Sequence, residues 1–363
     1  MRTFYLLTYL ENNPLGFAQD RLREATTQWE KHVWSFSVDW FNPKVKTIAV
    51  KTSGSSGKPK TILHKKEFMR NSALLTSEAL GLSEVKSALL CLPANKISGM
   101  MMLARVFENK MFLQGIEPIA APLLKIGTDL KIDFAAFTPM QFSQVISSKK
   151  AFSKAEKIKT VILGGEGISD ELLTTIKRMK NNVYATFGMT ETISHIALKK
   201  LNGKNADKYF RVLPSVRVSM SKENCLVVNA PRLGVKNLVT NDVVKIISPT
   251  QFEWLGRVDN VINSGGLKIH PEEVEASLRS KIDVPFFISG IKDAVSGQKP
   301  CLVLEKRSLS KQKIEELKLA FSKLDKKSRP KEIWLVPEFA KTENRKLKRK
   351  ETMALAVKKI SLM

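Results

Sequence analysis

Short apolar runs alternate with segments of helical spacing through the first half of the chain. Five runs of four or five mostly apolar residues predict buried strands, at residues 47–50, 88–92, 134–137, 160–163 and 183–187. The segments between them place apolar side chains three or four positions apart, which predicts helices. The predicted helices are residues 65–80, 100–108, 139–146 and 169–179. A sheet covered by helices requires this alternation, so the pattern predicts an α/β fold.

The second half of the chain changes to shorter runs separated by turn residues. Four of these runs predict a small β-subdomain, at residues 216–220, 225–228, 243–247 and 252–255. An amphipathic helix and three further strands follow, the helix at 310–324 and the strands at 286–291, 301–304 and 333–336. We therefore expect a large N-terminal domain of β-sheets flanked by helices, followed by a small α+β domain.

The charge of the chain narrows the classes of partner. Lys and Arg number 60 against 35 Asp and Glu, a net charge of +25. Such a chain attracts polyanions, whether nucleotides, coenzyme A, nucleic acid or an anionic membrane face. No recognisable nucleic-acid-binding module is present, so we expect no specific nucleic acid partner.

Cysteine usage and hydropathy indicate the compartment. Cys91, Cys225 and Cys301 are widely spaced and odd in number, which argues against a disulfide framework or a zinc site and favours a reducing cytoplasm. The N-terminal apolar run is too short and too often interrupted for a signal peptide, and no run is long enough for a membrane span.

A Gly/Ser-rich loop between two strands is the first candidate for binding chemistry. Its glycines let the backbone approach a ligand, and its hydroxyl and N–H groups form a row of donors suited to a polyphosphate. The spacing differs from that of the P-loop of ordinary NTPases, and a flexible surface hairpin is the alternative interpretation. The residues are Thr52, Ser53, Gly54, Ser55, Ser56, Gly57 and Lys58.

Two further blocks end predicted strands, and with the loop they resemble the acyl-adenylate-forming (AMP-binding) superfamily. The resemblance implies that Gly164, Gly165 and Glu166 form a wall of an adenine pocket and that Phe187 stacks on the adenine beside Gly188 and Met189. It also implies that Thr190 donates to the α-phosphate and that Glu191 holds Mg²⁺, for which an oxygen ligand is suitable. A helix N-terminus at Thr190 is the alternative.

Three later blocks extend this resemblance. Asp242, in a block resembling Thr-Gly-Asp, would bind the ribose, and Asn241 in the glycine's place would preserve a turn; a simple turn-forming Asp is the alternative. In residues 256–275, Arg257 would reach ribose and phosphate, and Asp259 would be the hinge between a large domain, residues 1–257, and a small mobile domain, residues 258–363. Gly265 and Gly266 would lie near a coenzyme A channel.

The basic terminal segment resembles the block that carries the adenylation lysine, which places that residue at Lys346. Ala340 and Arg345 depart from the family pattern, Lys348 is the fallback, and a solvated basic loop is the alternative. Two residues are candidates for the acyl pocket. Lys96 stands where relatives carry a histidine, and either binds an extra carboxylate or reaches solvent. His195, four residues beyond Glu191 on a helix, either faces the acyl group or is a hydrogen-bonded structural histidine.

The resemblance implies an ATP-dependent acid–thiol ligase that uses Mg²⁺ and takes coenzyme A as co-substrate. About 50 residues precede the phosphate loop, fewer than in most relatives, so the large domain is expected to be reduced. Such compact chains are most similar to the o-succinylbenzoate–CoA ligases of menaquinone biosynthesis. Another aryl or fatty acyl-CoA ligase, or a non-catalytic basic protein that binds polyphosphate or nucleic acid, are the alternatives.

Overall fold

The structure is a computed structural model that describes residues 3–6, 13–51, 60–127, 131–341 and 347–362. For residues 3–6 only the backbone is described. The chain forms two compact units. The first unit contains residues 1–218, 228–238 and 248–251, and the second contains residues 219–227, 239–247 and 252–363.

The first unit alternates strands and helices as the hydrophobic pattern predicts. Its helices are α1 (Pro14–Glu24), α2 (Gln28–Phe41), α3 (Lys66–Leu80), α4 (Ile97–Glu108), α5 (Pro139–Ile146), α6 (Lys149–Lys157) and α7 (Asp170–Ile176). Its strands are β1 (Thr3–Leu6), β2 (Thr47–Lys51), β3 (Thr61–Lys65), β4 (Ser87–Leu90), β5 (Phe112–Ile116), β6 (Phe134–Phe137), β7 (Thr160–Leu163), β8 (Asn182–Gly188), β9 (His195–Lys200) and β10 (Phe210–Val212).

The main sheet of this unit runs in the order β1-β5-β4-β6-β7-β8-β9-β10. Strands β5, β4, β6, β7 and β8 are mutually parallel, while β1 and β9 pair antiparallel to the outer members of that group. Strands β4, β6 and β7 are buried along their whole length, as expected for parallel strands covered on both faces. The carboxyl ends of the parallel strands therefore meet at one edge of the sheet.

Local signals in the sequence set the ends of several helices. Helix α3 ends at Leu80, and Gly81, with φ of 64°, forms a left-handed C-terminal cap. Helix α5 begins at Pro139 after Thr138, whose side chain forms a capping box with Gln141. Helix α4 begins at Ile97, three residues earlier than predicted, because the backbone turns directly into the helix after the Pro93–Lys96 turn.

The N-terminal aromatic residues pack into the core. Trp29, Trp34, Phe36 and Trp40 on α2 are all buried. The rings of Phe36 and Trp40 stack with centroids 5.5 Å apart. These residues therefore stabilise the first unit by burying apolar area and are not a binding face.

Strands β11 to β14 form the predicted run of short strands, in the neighbour order β14-β13-β12-β11. They are β11 (Arg217–Met220), β12 (Cys225–Ala230), β13 (Val235–Ser248) and β14 (Gln251–Arg257). Strand β13 has 14 residues, so the predicted strand at 243–247 was too short. Asn237, with φ of 47°, lies inside β13 and leaves the strand continuous.

The remainder of the second unit is an α+β structure. Its strands are β15 (Ile262–Ser264), β16 (Leu267–Ile269), β17 (Phe286–Asp293), β18 (Gly297–Glu305), β19 (Glu332–Val336) and β20 (Lys358–Ser361), and its helices are α8 (Pro271–Leu278), α9 (Lys311–Ser322) and α10 (Arg349–Ala354). The sheet order is β16-β15-β18-β19-β20, with β17 also paired to β18. Apolar residues of α8 and α9 cover one face of this sheet.

All three cysteines of the sequence are described, and each is a buried free thiol. Burial raises the pKa of the Cys91 and Cys225 thiols and raises the pKa of Cys301 to about 12. Within the described ranges, no helix is long and apolar enough to cross a membrane.

Candidate active site

The predicted adenine pocket lies at the carboxyl edge of two neighbouring parallel strands. Gly164 and Gly165 follow β7, and Phe187 and Gly188 end β8, which pairs directly with β7. A side chain at Gly164 would place its Cβ 2.3 Å from the hydroxyl oxygen of Thr186, and Gly165 has φ of 94°, a conformation that favours glycine. No side chain therefore covers the backbone at these two positions. Glu166 is exposed at the same edge, as a ligand-facing residue must be. The structure thus brings the two glycine-containing blocks together.

A single tight turn after β8 presents Thr190 and Glu191. A Cβ at Gly188 would lie 2.3 Å from the Ser194 carbonyl oxygen, so only glycine fits this close approach. The buried Thr192 hydroxyl accepts a hydrogen bond from the Met189 N–H at 3.0 Å and donates one to the Ser194 carbonyl oxygen at 2.8 Å. The turn is fixed by these contacts, while Thr190 remains half-buried and Glu191 exposed.

His195 does not lie on a helix, so that part of the prediction was wrong. The helical turn ends after Thr192 because Ile193 has φ of 69°, and His195 begins strand β9. Its ring is buried, with Nε2 3.1 Å from Oγ1 of Thr76 and Nδ1 3.4 Å from Nη2 of Arg105. Burial, and then the charge of Arg105, lowers the pKa of His195 well below its usual value, so the ring is neutral.

Arg105 is a buried cation that the sequence analysis missed. It lies on α4 with 3% of its surface exposed, and its Nη2 donates to Oγ of Ser194 at 2.6 Å. Its Nε has no hydrogen-bond partner, and no carboxylate within the described ranges forms an ion pair with it. Burial lowers its pKa to about 10, so it stays charged at neutral pH. The available signal was a lone arginine inside the otherwise apolar helix at 100–107.

His64 is a second residue that the sequence analysis missed. It lies near the end of β3, is 7% exposed, and hydrogen-bonds to the backbone of Thr190. Burial lowers its pKa, while the Thr190 hydrogen bond and the charge of Glu191 act in the opposite direction. Its Nε2 is buried without a partner. The imidazole therefore stands beside the Thr190–Glu191 turn with one ring nitrogen still to be satisfied.

Lys96 lies in the backbone segment that leads into α4. It is the N-cap residue of that helix and is partly exposed, and no ion pair of its ammonium group occurs in the part of the chain that the structure describes. The helix approaches the preceding turn closely, because a Cβ at Gly99 would lie 2.3 Å from the Pro93 carbonyl oxygen. The geometry fixes the backbone of Lys96 and leaves both of its predicted roles open.

The predicted ribose site of the second unit is a connected polar group. Oδ1 of Asp242 accepts from the Trp254 indole N–H at 2.9 Å, and its Oδ2 lies 3.7 Å from Arg257. Arg257 also lies 3.3 Å from Asp259. Burial raises the pKa of Asp242, and the indole hydrogen bond and Arg257 oppose this shift. These contacts place Asp242, Arg257 and Asp259 together.

Asn241 does not occupy the predicted turn. It lies inside β13 and is absent from the residues with positive φ, so the expected left-handed conformation is wrong. Its side-chain N–H instead donates to Asp259 at 3.3 Å. The extended backbone of β13, rather than a turn, presents Asp242.

Gly265 and Gly266 form the tip of the β15–β16 hairpin. Their φ values of 54° and 79° are those of a two-residue turn that requires positive φ at both positions. A Cβ at Gly266 would meet nothing within 4 Å, so this tip is open. The predicted position near a coenzyme A channel stays a prediction.

Eight of the predicted site residues lie outside the described residues. They are Thr52, Ser53, Gly54, Ser55, Ser56, Gly57, Lys58 and Lys346. The strands that border the first group are described, because β2 and β3 pair from Lys51 with Thr61 onwards. For Lys346, Lys341 and Leu347 on its two sides form an antiparallel bridge.

The sheet and the site at its edge define an AMP-binding enzyme. A family model described as "AMP-binding enzyme" matches residues 24–235, and the chain belongs to this family. The resemblance found in the sequence is therefore confirmed at the level of the family.

The relatives are more specific. The chain is 28% identical over 335 residues to the 2-succinylbenzoate–CoA ligase of Geobacillus sp. (strain WCH70), covering 84% of this chain and 68% of that protein. It is 24% identical to the enzyme of the same name from Lactococcus lactis, covering 87% and 72%. These names agree with the group to which the sequence was judged most similar.

Solved structures show the same fold. An acyl-CoA synthetase (AMP-forming)/AMP-acid ligase II-like protein from Dyadobacter fermentans is 30% identical, with a TM-score of 0.65 over 97% of this chain and 99% of that one. The o-succinylbenzoate CoA synthetase of Bacillus subtilis is 22% identical, with a TM-score of 0.69 over 84% of this chain and 68% of that one. The predicted α/β fold class is confirmed.

Proposed function

We propose that this chain is a cytoplasmic ATP-dependent acid–CoA ligase that acts on 2-succinylbenzoate. It would activate a carboxylate as an acyl-adenylate and transfer the acyl group to coenzyme A, as in menaquinone biosynthesis. Family membership supports the adenylating half, and the ligase relatives at 24–28% identity support the acid and the thiol acceptor.

The nucleotide would bind at the carboxyl edge of β7 and β8. Adenine would lie against Gly164, Gly165 and Phe187, where the backbone is bare and the aromatic ring is half-buried. Thr190 would donate to the α-phosphate, since the turn that carries it is fixed by buried contacts. A preorganised donor stabilises charge in the transition state without reorganising.

Glu191 fits a role in holding Mg²⁺. It is an exposed carboxylate at the same turn, and no cluster of three potential ligands occurs within the described ranges. Mg²⁺ commonly takes one or two protein carboxylates and completes its shell with substrate phosphates and water. When bound, the ion would neutralise charge on the phosphates. His64, hydrogen-bonded to Thr190 and electrostatically coupled to Glu191, would help to hold this turn.

Arg105 is the observation that carries the identity of the acid. 2-Succinylbenzoate has two carboxylates, and one remains charged while the other reacts. A buried guanidinium with an unpaired Nε is stabilised by such an anion, and the neighbouring neutral His195 adds no competing positive charge.

The reaction would proceed in two substitutions. A carboxylate oxygen of the acid attacks the α-phosphorus of ATP, and the bond to pyrophosphate breaks. Lys346 would stabilise the developing charge. The thiolate sulfur of coenzyme A then attacks the acyl carbon, and AMP leaves with the electron pair of the acyl–oxygen bond. We propose that residues 258–363 rotate about Asp259 between the two steps. The rotation would move Lys346 away from the nucleotide and bring the face that bears Gly265 and Gly266 towards it.

A panel of acids in ATP–pyrophosphate exchange tests the first half, and thioester formation with coenzyme A tests the second. We expect exchange and thioester formation to be fastest with 2-succinylbenzoate. If exchange is faster with a fatty acid or a simple aryl acid, the substrate assignment would change to that acid and the enzyme class would stay the same. Absence of exchange with every acid would overturn the proposal.

The lysine assignment has its own test. We expect Lys346→Ala to reduce adenylation by at least about 100-fold, while thioester formation from preformed acyl-adenylate changes little, because the lysine acts only on the first transition state. Lys348→Ala is tested in parallel because Lys348 is the fallback for this role, and loss of adenylation in Lys348→Ala but not in Lys346→Ala would move the assignment to Lys348. Equal loss in both half-reactions for Lys346→Ala would contradict the assignment.

A further inference from the structure

Each of the five parallel strands of the main sheet begins within three residues after a lysine. Their spatial order is β5, β4, β6, β7 and β8. All five lysine side chains are exposed. In spatial order the residues, which we call the lysine edge, are Lys110, Lys86, Lys131, Lys159 and Lys180.

The strand register places these lysines in one row. The N–H of Phe112 donates to the Lys86 carbonyl at 2.8 Å, and the N–H of Asn182 donates to the Lys159 carbonyl at 3.0 Å. Ser87 pairs with Phe112 at the same level of the sheet. Because adjacent strands are about 4.8 Å apart, the row spans about 19 Å.

Among the described residues, the acidic groups near this edge neutralise little of that charge, because Glu108 and Asp207 pair with Arg70 and Arg211, which lie outside the row. Lys159 is paired with the buried Asp133 at 2.9 Å, and Glu84 is exposed beside Lys86. The other four lysines form no ion pair in the part of the chain that the structure describes. Three exposed cations flank the row, namely Lys157, Lys177 and Arg178.

The lysine edge lies at the opposite end of the strands from the nucleotide site. Parallel strands start at one edge of a sheet and finish at the other, and Gly164 and Phe187 stand at the finishing edge. The proposed ligase chemistry therefore uses none of these lysines. Their positive charge is available to a partner while the active site is occupied.

We propose that the lysine edge docks reversibly on an anionic phospholipid bilayer. Lysine ammonium groups are compact charges on flexible stems, and each contributes to attraction by an anionic lipid surface without a fixed geometry. Proteins that bind single-stranded nucleic acid combine a basic groove with exposed aromatic rings, and readers of duplex DNA insert a helix or ribbon into a groove. No Phe, Tyr or Trp side chain described in the first unit is exposed, and the row lies where strands begin, with no helix or ribbon projecting from it. These features favour a lipid surface over nucleic acid.

Vesicle cosedimentation of the full chain tests this docking. The edge variant carries Lys86→Gln, Lys110→Gln, Lys131→Gln and Lys180→Gln, and retains Lys159 because of its buried partner. The control variant replaces four exposed lysines elsewhere in the same unit and lowers the net charge equally. Its substitutions are Lys31→Gln, Lys44→Gln, Lys65→Gln and Lys236→Gln.

We expect the wild type to bind phosphatidylcholine vesicles containing phosphatidylglycerol at low salt and to dissociate at high salt. Phosphatidylcholine alone should not bind. Each lysine near an anionic surface contributes about 1 kcal/mol, or about fivefold in affinity, so four together contribute up to about 600-fold. We expect the edge variant to bind at least about 20-fold more weakly and the control variant to stay within about fourfold of wild type. Both variants should retain wild-type thermal unfolding and ATP–pyrophosphate exchange.

Three results would overturn the docking proposal. One is the absence of binding to the phosphatidylglycerol vesicles by the wild type. A second is equal weakening in the edge and control variants, which would reduce the effect to net charge. The third is tighter, edge-dependent binding to duplex DNA than to vesicles. Because exchange is measured separately, none of these results bears on the ligase function.

Discussion

Burial lowers the pKa of two neighbouring side chains, Arg105 and His195, but leaves them with different charges at neutral pH. Both lie in one buried cluster, yet the arginine keeps its proton at neutral pH while the histidine loses it. The difference arises because an arginine starts from a pKa far above neutrality and a histidine starts close to it. The cluster therefore presents one positive charge to an anion.

We expect Arg105→Met to raise the KM for 2-succinylbenzoate about 10- to 100-fold, because it removes a charged hydrogen-bond donor of the acid. The KM for ATP should change less than about twofold, since the nucleotide would bind elsewhere on the sheet edge. Steady-state kinetics with each substrate varied in turn checks this. An equal effect on both KM values would contradict the role of Arg105 in binding the acid.

His195 makes stability depend on pH. Its folded pKa lies well below the unfolded value, so the unfolded chain takes up the proton first as the pH falls. The contribution of His195 to the free energy of unfolding is fully present above about pH 6.5. Below that pH it falls by about 1.4 kcal/mol per pH unit until the folded pKa is reached. Urea unfolding at a series of pH values should show this slope. The slope should be reduced in His195→Gln and retained in part through His64, whose pKa is also lowered.

At the residue scale, the sequence predicts positions that belong to a contiguous motif. Gly188 could be predicted because its neighbours form a recognisable block, and the close approach to Ser194 supplies the physical reason for a glycine there. Arg105 and His64 could not be predicted, because their partners are 90 and 126 residues away along the chain, at His195 and Thr190. Only the fold brings such pairs into contact.

At the scale of elements, one partly buried ion pair joins the start of α10 to α8. Arg349 donates to both carboxylate oxygens of Glu275, at 2.6 and 3.0 Å, and to the Ile288 carbonyl at 2.7 Å. Glu275 also accepts from the Ile288 N–H at 2.8 Å. The buried Thr352 hydroxyl accepts from the Ala340 N–H at 3.0 Å. The two ends of the basic terminal segment are thereby joined to the sheet of the second unit.

Breaking this pair should destabilise the second unit. We expect Arg349→Met to lower the free energy of unfolding by about 3–5 kcal/mol, because it leaves the Glu275 carboxylate buried without its cation. The double variant Arg349→Met with Glu275→Met should recover part of that loss. Lys348→Met is the matched control, since its pair with Glu351 is exposed and should contribute less than about 1 kcal/mol. Urea denaturation measures all three, and a full loss in the double variant would argue against a buried charge as the cause.

Elements with strong local signals could be predicted well. The cap at Gly81 and the proline at position 139 fixed the ends of their helices to within a residue. Strand β13 could not be predicted in full, because its polar residues 236–237 resemble a turn and only pairing within the sheet keeps them extended. The helix expected at His195 failed for the opposite reason, since a positive φ at Ile193 ends it and a β-branched residue rarely adopts that conformation.

At the scale of the whole molecule, the placement of charge could not be predicted from composition. The net charge of +25 is evident in the sequence, whereas the lysine edge depends on the strand order β5-β4-β6-β7-β8. That order is not the order of the strands along the chain, and crossover connections produce it. The class of enzyme, by contrast, was accessible because its motifs are contiguous and occur in sequence order.

The burial of Cys91, Cys225 and Cys301 has a practical consequence for following motion. Thiolates, not thiols, react with maleimide dyes, and a raised pKa with no solvent access suppresses the thiolate. The native chain should therefore remain unlabelled under mild conditions, without removal of its own cysteines. One cysteine introduced on the surface of each unit would then take a fluorophore pair cleanly, and energy transfer between the dyes would report any rearrangement during turnover.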